Sequence, residues 1–393
     1  MFFIFRQFNH SLLLIITISF LAIGFSVEAA KLEKSCLTSI FKIDSNFLSS
    51  GFSKCEVINE NYIKLYVSPE DVDVINSSPW YAFRKSEHQK KVFVEVFYEK
   101  FKHRYHPKIS SDSIKWKKID AKFFKEINDG QGLLIEFQPV KKETIISAQE
   151  IISSKWYSAW YEELSSKSFV KVSDLGLSPG ERSIQKISII RNSNNPYIFI
   201  LGRQHPPEVS GAFALKGFVE NILSENQLSL SFLSKYNVII YPLLNPDGVD
   251  LGHWRHNLSS KDLNRDWGFF NETETKLVFS DIQKILSKDK EIIALIDFHS
   301  TFENLFYVQH SDEDQGLSFS VTEWLRNSEH SLKDYKFSIR PVKSRDNGVA
   351  KNFFYKKFNI PTVTYEVGDE TNRNSINHSS KILSENFMKI LME

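Results

Sequence analysis

From about residue 147 to the C-terminus, the chain alternates short apolar runs with amphipathic runs, and this alternation restricts the folds available to it. Short apolar runs are typical of buried strands, whereas apolar residues three and four positions apart are typical of helices. Helices commonly connect parallel strands and cover both faces of their sheet. We therefore predict an α/β fold with a mixed, mostly parallel sheet flanked by helices. The predicted strands are 184–191, 197–201, 236–244, 292–298 and 361–367, and the predicted helices are 147–164, 211–223, 272–286, 316–326, 349–358 and 379–391.

The preceding part of the chain has a different pattern. Residues 62–67 and 92–98 alternate apolar with polar side chains, and turn residues separate them from similar runs at 114–119 and 132–137. This pattern predicts a small antiparallel β-sandwich. We assign residues 30–145 to this domain and residues 146–393 to the α/β domain.

Two features of the sandwich region carry further expectations. Trp80 and Tyr81 are expected in its core. His103 and His106 lie in a basic stretch, residues 100–108, for which a solvated hairpin is the simpler interpretation than a set of metal ligands.

Residues 1–29 have the organisation of a secretory signal peptide. Arg6 and His10 precede an apolar run at 12–25, and small residues follow at Val27 and Ala29. A membrane anchor is the competing interpretation, but the run is short for a full span. We expect cleavage after Ala29 or Ala30, no stable membrane anchor afterwards, and a periplasmic or secreted protein.

The cysteine content fits the same compartment. The chain has two cysteines, Cys36 and Cys55, both close behind the predicted signal. In an oxidising compartment we expect them to form a disulfide, and two buried free thiols are the alternative.

Composition excludes some partners. The 393 residues have a net charge of +1, so the chain lacks the basic excess that binds nucleic acid in bulk. A hydrophobic content of 41% is sufficient for sizeable cores. Nothing in the sequence specifies an oligomeric state.

Reactive side chains follow the ends of predicted strands. His205 and Glu208 come after one strand, His299 ends a second, and Glu366 ends a third. An α/β fold places its site at such strand ends. Two histidines and one carboxylate form a known catalytic zinc site, and a further glutamate suits a general base. The His-x-x-Glu pair alone also fits a surface histidine beside a helix-start glutamate.

Further motifs occur between these strand ends, at residues 245–248 (Asn-Pro-Asp-Gly), 254–257 (Trp-Arg-His-Asn) and 262–267 (Asp-Leu-Asn-Arg-Asp-Trp). With them, the chain from about residue 147 onward resembles the zinc carboxypeptidases of the carboxypeptidase A/B family. The region before it, with Ser-Pro-Trp-Tyr-Ala-Phe-Arg at 78–84, is similar to the amino-terminal domain of the cytosolic carboxypeptidase subgroup.

The resemblance implies a metal centre and a general base. His205, Glu208 and His299 match the ligands of one zinc ion, and Glu366 matches the catalytic glutamate. Asp262 matches a carboxylate that orients the first zinc histidine. Pro207, within the metal motif, suits the first position of a helix.

The resemblance also implies how a substrate is held. Arg255 matches the arginine that polarises the scissile carbonyl, and Asn264 with Arg265 matches the pair that binds the terminal carboxylate. A guanidinium binds a carboxylate through two hydrogen bonds, which suits an enzyme that recognises a free C-terminus. We expect Arg255→Ala to reduce turnover strongly without disturbing the fold.

In the family that this chain resembles, a residue about fifteen positions before the catalytic glutamate lines the pocket for the terminal side chain. Here that position is Lys351, so we expect Lys351 to influence side-chain specificity. A lysine in a confined pocket favours an acidic C-terminal residue such as Glu. The alternative is a lysine on the exposed face of its helix. Digestive family members carry a mobile tyrosine just before this stretch, whereas residues 343–347 contain none, and Arg345 is a candidate replacement.

We therefore predict a zinc-dependent metallocarboxypeptidase that acts on peptide or protein C-termini. One alternative is an amidase or carboxypeptidase acting on peptidoglycan stem peptides, which also end in carboxylates. Another is a non-catalytic binding module for C-terminal peptides, although the presence of Glu366 argues against it because binding requires no base.

Overall fold

The computed structural model describes residues 34–72, 76–287, 290–314 and 316–393, and the predicted signal peptide lies outside them. Residues 35–147 form two sheets. Their strands are β1 (Ser35–Leu37), β2 (Lys42–Asp44), β3 (Lys54–Asn59), β4 (Tyr62–Val67), β5 (Ala82–Lys85), β6 (Val92–Tyr98), β7 (Lys108–Ser110), β8 (Lys117–Lys118), β9 (Phe124–Ile127), β10 (Gly132–Phe137) and β11 (Thr144–Ser147).

The two sheets share one core, as predicted for a sandwich. One has the strand order β1-β2-β5-β11-β7-β8 and the other β3-β4-β6-β10-β9. Their pairs are antiparallel apart from β4 with β6, which run parallel. Alternate residues of both sheets, among them Phe83 and Val94, are buried in the shared core. Trp80 and Tyr81 are also buried there, as expected.

A disulfide joins the two sheets. Cys36 on β1 and Cys55 on β3 are bonded, at a sequence separation of 19. Because β1 belongs to one sheet and β3 to the other, the bond links the edges of the sandwich.

The rest of the chain forms the predicted α/β arrangement. Its strands are β12 (Val170–Leu177), β13 (Ser183–Ile189), β14 (Tyr197–Gly202), β15 (Asn237–Tyr241), β16 (Ile292–Thr301), β17 (Leu305–Gln309), β18 (Ser338–Val342) and β19 (Thr362–Gly368). Its helices are α1 (Ser154–Ser165), α2 (Val209–Ile222), α3 (Gln227–Lys235), α4 (Pro246–Leu251), α5 (Thr273–Leu286), α6 (Val321–Ser331), α7 (Ala350–Phe358) and α8 (Arg373–Met392).

These strands form one sheet with the order β12-β13-β15-β14-β16-β19-β17-β18. The central strands β15, β14, β16 and β19 run parallel to one another, and antiparallel pairs flank them on both sides. Side chains on β14 alternate between the faces. Ile198 and Ile200 pack in the core with α2 and α8, whereas Phe199 and Leu201 pack in the core with α5 and α7. This two-sided burial explains the continuous apolar runs in the sequence.

Several predicted boundaries are wrong. The predicted helix at 147–164 begins only at Ser154, because Ser147 still pairs with Ala82 in the sandwich. The predicted strand at 114–119 is reduced to β8. The α6 helix begins at Val321, five positions later than predicted. Elements α3, α4, β12, β17 and β18 were not predicted, because short or polar elements lack a strong apolar period.

The basic stretch at 100–108 is not a solvated hairpin, so that expectation is wrong. Tyr105 and Lys108 are buried. Arg104 donates from Nε and Nη2 to Asp369 Oδ2 over 2.9 and 2.7 Å, and Lys108 Nζ donates to Glu370 over 3.2 Å. The stretch therefore packs against the connection that follows β19.

Residues 34–393 form one compact unit, in which the sandwich and the α/β region share a continuous core. The boundary between residues 145 and 146 therefore stays a prediction. Among the described residues, each helix is too short or too polar to cross a lipid bilayer.

Candidate metal centre and substrate cavity

The metal-ligand candidates meet because parallel strands bring their carboxyl ends to one edge of the sheet. β16 lies between β14 and β19, and the register places His299 opposite Glu366. On the other side, Gly202 at the end of β14 pairs with Phe298. The chain leaving β14 therefore carries His205 directly over the end of β16.

A tight turn presents the first two candidates. Arg203 has a φ of 52°, a left-handed conformation that is unusual for a residue with a Cβ. Its guanidinium donates from Nε and Nη2 to the Pro206 carbonyl over 3.0 and 2.7 Å, which holds the turn. Helix α2 begins at Val209 with Glu208 as its N-cap. Pro207 thus precedes the helix, and its expected place at the first helical position is wrong.

His205, Glu208 and His299 converge on one point. His205 Nδ1 lies 2.8 Å from Glu208 Oε1, and His299 Nδ1 lies 2.8 Å from Glu208 Oε2. Their candidate ligand atoms all lie within 4.8 Å of one another, and the three residues are buried.

Carboxylates hold the opposite nitrogen of each ring. His205 Nε2 lies 2.9 Å from Asp262 Oδ1, and His299 Nε2 lies 2.9 Å from Asp297 Oδ2. Metal-binding histidines characteristically donate their second N–H to such a partner, which fixes the ring and leaves the other nitrogen for the metal.

The electrostatics of this cluster favour a cation. Burial works against protonation of His299, but Asp297 and Glu208 outweigh it and hold the pKa of His299 well above its ordinary value. Burial also works against ionisation of Glu208, but both histidines outweigh it and hold the Glu208 pKa far below its ordinary value. Two imidazole nitrogens and a carboxylate are the donor set of catalytic zinc sites, so these residues fit a zinc ion.

Glu366 stands beside this cluster. Burial, partly offset by the positive field of His299, raises the pKa of Glu366 to about 7. Among the described residues, its Oε2 atom has no hydrogen-bond partner. A carboxylate with a raised pKa and an unused oxygen can accept and release a proton near neutral pH.

Asp262 links the metal cluster to Arg255. One of its oxygens faces His205, and the other accepts from Arg255 Nε over 2.8 Å and lies 2.6 Å from Arg255 Nη2. Asp262 therefore supports both the first histidine and the arginine, whereas the sequence resemblance implied only the first of these contacts.

The residues predicted to hold a carboxylate border the same space. Asn264 Oδ1 accepts from the backbone N–H of Ala350 over 2.8 Å, and its amide nitrogen lies 3.4 Å from His299 Nε2. Arg265 is exposed, and its Nη1 donates to the Asn264 carbonyl over 2.7 Å. Both residues line the cavity that contains the metal cluster.

That cavity has a volume of about 430 Å³. It is lined by Asn76, His205, Glu208, Arg255, Asn264, Arg265, His299, Ser300, Thr301, Tyr307, Val342, Asp346, Val349, Lys351, Asn352, Thr364 and Glu366. The lining includes every predicted metal ligand, the predicted base and every predicted substrate-binding residue.

Lys351 faces this cavity and not the solvent. It lies in the first turn of α7, is buried, and has no hydrogen-bond partner for Nζ within the described residues. Burial lowers its pKa to about 8, although the nearby Glu313 acts in the opposite direction. A close approach of the chain fixes this helix start: a Cβ on Gly348, where φ is +91°, would lie 2.3 Å from the Arg265 carbonyl oxygen.

Several site residues were missed or misjudged from the sequence. Asp297 was not assigned above, although it lies two positions before His299 and so shares its face of β16. Tyr307 reaches the cavity from β17, a strand that was not predicted. Asn76 reaches it from the sandwich region, with no signal in the sequence. Arg345 is exposed and is not among the residues that line the cavity, and its role as a replacement stays a prediction.

Comparison with known proteins gives a family. The family model described as zinc carboxypeptidase matches residues 157–387, more than half of the chain. Cytosolic carboxypeptidase 1 from Gallus gallus is 45% identical over 74 residues, which cover 19% of this chain and 6% of that protein. Cytosolic carboxypeptidase 1 from Danio rerio is 31% identical over 151 residues, covering 37% of this chain and 12% of that protein. The matched segments thus span a small part of these relatives.

Solved structures share the fold over almost the whole chain. A metallo-carboxypeptidase from Burkholderia cenocepacia superposes with a TM-score of 0.74 at 16% identity, over 91% of this chain and 99% of that one. A metallo-carboxypeptidase from Pseudomonas aeruginosa gives 0.69 at 17% identity, over 89% and 99%. At these identities the likeness concerns the fold, and it includes the sandwich.

Proposed function

Because this chain belongs to the zinc carboxypeptidase family, we propose that it is a zinc-dependent enzyme that removes C-terminal amino acids from peptides or proteins. The observation that carries the proposal is one cavity in which the metal cluster, Glu366, Arg255 and the Asn264–Arg265 pair face one another. A metal-binding or peptide-binding role alone would not need a glutamate of raised pKa at this place.

The zinc ion would be held by His205, Glu208 and His299. When bound, zinc supplies Lewis acidity, which polarises a peptide carbonyl and makes water a better nucleophile. Glu366 takes the proton of the attacking water and returns it to the leaving amine, which its pKa of about 7 allows. These assignments use groups that lie in one cavity.

Substrate contacts come from the other walls. Arg255 donates to the carbonyl oxygen as negative charge develops on it, and its guanidinium is already oriented by Asp262. Asn264 and Arg265 bind the terminal carboxylate, so that only the last peptide bond reaches Glu366. This placement makes the enzyme an exopeptidase.

We further propose a preference for acidic C-terminal residues such as Glu. The support is Lys351, whose buried Nζ has no partner within the described residues and faces the cavity. A buried, unpaired ammonium is costly, and a substrate carboxylate would compensate it. With a pKa of about 8, most of this lysine carries its charge at neutral pH.

We also propose that the mature protein works in an exported, oxidising compartment, although the curated relatives carry the name cytosolic. The support is the signal-like N-terminus together with the Cys36–Cys55 disulfide. N-terminal sequencing of the protein from fractionated cells tests this proposal. Recovery of the intact Met1 terminus in the cytoplasm, with both thiols free, would refute it.

The function is tested with blocked peptides that differ in the last residue (Glu, Asp, Gln, Leu, Lys), and with purified muropeptides, each with and without a chelator. We expect chelator-sensitive release of single C-terminal residues, fastest for Glu. Glu366→Gln serves as the inactive control. Cleavage of muropeptides alone would instead indicate a stem-peptide hydrolase, and bound zinc without any turnover would indicate a binding module.

A further inference from the structure

A carboxylate from the sandwich lies against the backbone that carries Arg255. Glu70, three positions after β4, has a side chain that is 5% exposed. Its Oε2 accepts from the Trp254 backbone N–H over 2.7 Å, and its Oε1 accepts from the N–H groups of Arg255 and His256 over 2.9 and 2.5 Å. Three consecutive backbone donors therefore converge on one side chain.

The next residue strengthens this contact. Asp71 Oδ2 lies 2.7 Å from His256 Nδ1, so both acidic residues hold the same short segment. Glu70, Asp71 and His256 also have the residue types of a metal site. The Glu70 oxygens already accept three N–H groups, and this arrangement is that of a backbone anchor.

The sandwich also holds the chain just before this segment. Ser49 donates from its backbone N–H to the Asp250 carbonyl over 2.7 Å and from Oγ to the Val249 carbonyl over 2.8 Å. Trp254 Nε1 donates to the Trp80 carbonyl over 3.0 Å. At Gly252, where φ is +72°, a Cβ would lie 2.6 Å from the Ser50 carbonyl oxygen. The segment 249–256 is thus fitted closely to the sandwich.

Arg255 is consequently fixed at both ends. Glu70 holds its backbone, and Asp262 holds its guanidinium over 2.8 Å. Both supports are needed for a fixed position, because a long side chain anchored only at its tip can still shift with its backbone. A displacement of about 1 Å at a reacting centre can cost about 10²-fold in rate.

We propose that Glu70 is a positioning residue of the active site: through the backbone of residues 254–256 it sets where the Arg255 guanidinium meets the substrate carbonyl. The inference rests on the proposed function for its catalytic consequence. It gives the sandwich a part in the chemistry, since one of its side chains determines the geometry of a residue in the α/β region.

The test compares Glu70→Gln with Glu95→Gln in the mature protein, with both regions present. Glu95 is a matched control, because it is a buried glutamate of the same sandwich whose partners, Tyr62 and Lys64, also lie there. We expect Glu70→Gln to lower kcat by about 10–100-fold with little change in KM, since the carboxylate-binding residues are untouched. Glu95→Gln should lower the unfolding temperature and leave kcat unchanged.

A double-mutant cycle with Arg255→Ala separates positioning from general destabilisation. If Glu70 acts through Arg255, the double variant Glu70→Gln/Arg255→Ala is no slower than Arg255→Ala alone. Multiplying effects, or wild-type kcat in Glu70→Gln, would overturn the inference while leaving the proposed function intact. Should Glu70→Gln fail to fold, Glu70→Asp, which keeps the charge on a shorter side chain, takes its place in the cycle.

Amide hydrogen exchange gives a readout that needs no turnover. We expect the amides of residues 254–256 to lose protection in the Glu70 variant and to keep it in Glu95→Gln. If the wild-type protein releases no C-terminal residue from any peptide, the proposed function fails. Hydrogen exchange at these amides then tests by itself whether Glu70 anchors the backbone. Unchanged protection of these amides in the Glu70 variant would overturn the anchoring.

Discussion

The two ends of the cavity differ in how their polar groups are satisfied. At the metal end, both histidines have a carboxylate behind them, and Asp297 in turn accepts from Gln204 Nε2 over 2.8 Å. At the other end, where the terminal side chain of the substrate is proposed to bind, the Lys351 ammonium has no hydrogen-bond partner within the described residues.

Under the proposed function, this difference corresponds to two tasks. Groups that act on the reacting bond must keep one geometry through turnover, so neighbouring residues fix them in advance. A group that selects a substrate is more discriminating when its own polar requirement is met only by the right ligand. Changes at the metal end should therefore affect every substrate alike, whereas changes at Lys351 should affect acidic substrates alone.

The largest effect is expected at Glu366. Replacement by Gln keeps the shape but removes the proton acceptor, so kcat should fall by about 10²–10⁴-fold for all substrates. Zinc content, measured by mass spectrometry of the purified protein, should stay at one ion per chain. Glu370→Gln is the control, because Glu370 pairs with Lys108 and Lys118 outside the cavity. An equal loss of turnover for Glu-terminated and Leu-terminated peptides would support the contrast between the metal end and the Lys351 end of the cavity. A loss that depends on the substrate would contradict it.

A smaller effect is expected at Asp297. Asp297→Asn leaves His299 without its charged partner, and zinc affinity should drop about 10–100-fold. Competition with a chromogenic chelator measures this. Asp281→Asn, which removes a carboxylate whose partners are Lys186 and Tyr241, should keep wild-type affinity. An Asp297→Asn protein that binds zinc as tightly as the wild type would contradict the support assigned to this residue.

At the other end of the cavity, Lys351→Met should abolish the proposed preference for acidic C-terminal residues without stopping the chemistry. A charged hydrogen bond contributes about 1.5–3 kcal/mol, so kcat/KM for Glu-terminated peptides should fall about 10–100-fold. Leu-terminated peptides should be cleaved as well as before or better. Lys357→Met, on the exposed part of the same helix, is the matched control. If the ratio of kcat/KM for Glu-terminated to Leu-terminated peptides is unchanged in Lys351→Met, Lys351 does not determine side-chain specificity.

The smallest effect is a pH dependence confined to acidic substrates. The Lys351 pKa of about 8 means that the ammonium is largely charged at pH 7 and largely neutral at pH 9. KM for Glu-terminated peptides should therefore rise about tenfold between these values, whereas KM for Leu-terminated peptides should not follow. The Lys351→Met substitution should abolish this difference between the two peptide series. A parallel rise of KM for both substrates in the wild-type protein would assign the titration to another group.

Much of the site was predictable because its signals are local. His205, Glu208, His299 and Glu366 were found at the ends of apolar strands, and the parallel register then places His299 opposite Glu366. Asp297 could also have been assigned, since side chains two positions apart on a strand share a face. Boundaries such as the start of α1 were less predictable, because strand pairing with the sandwich overrides the helical period.

The sequence by itself determined the α/β class, the sandwich before it, and the residues that meet at the strand ends, because each depends on periods and motifs within a few positions. Only the tertiary structure decided that Lys351 faces the cavity, that Tyr307 enters it, and that Glu70 holds the backbone of Arg255. Glu70 and Arg255 are 185 positions apart. Contacts at such separations arise from how sheets and loops pack, and a local pattern does not specify them.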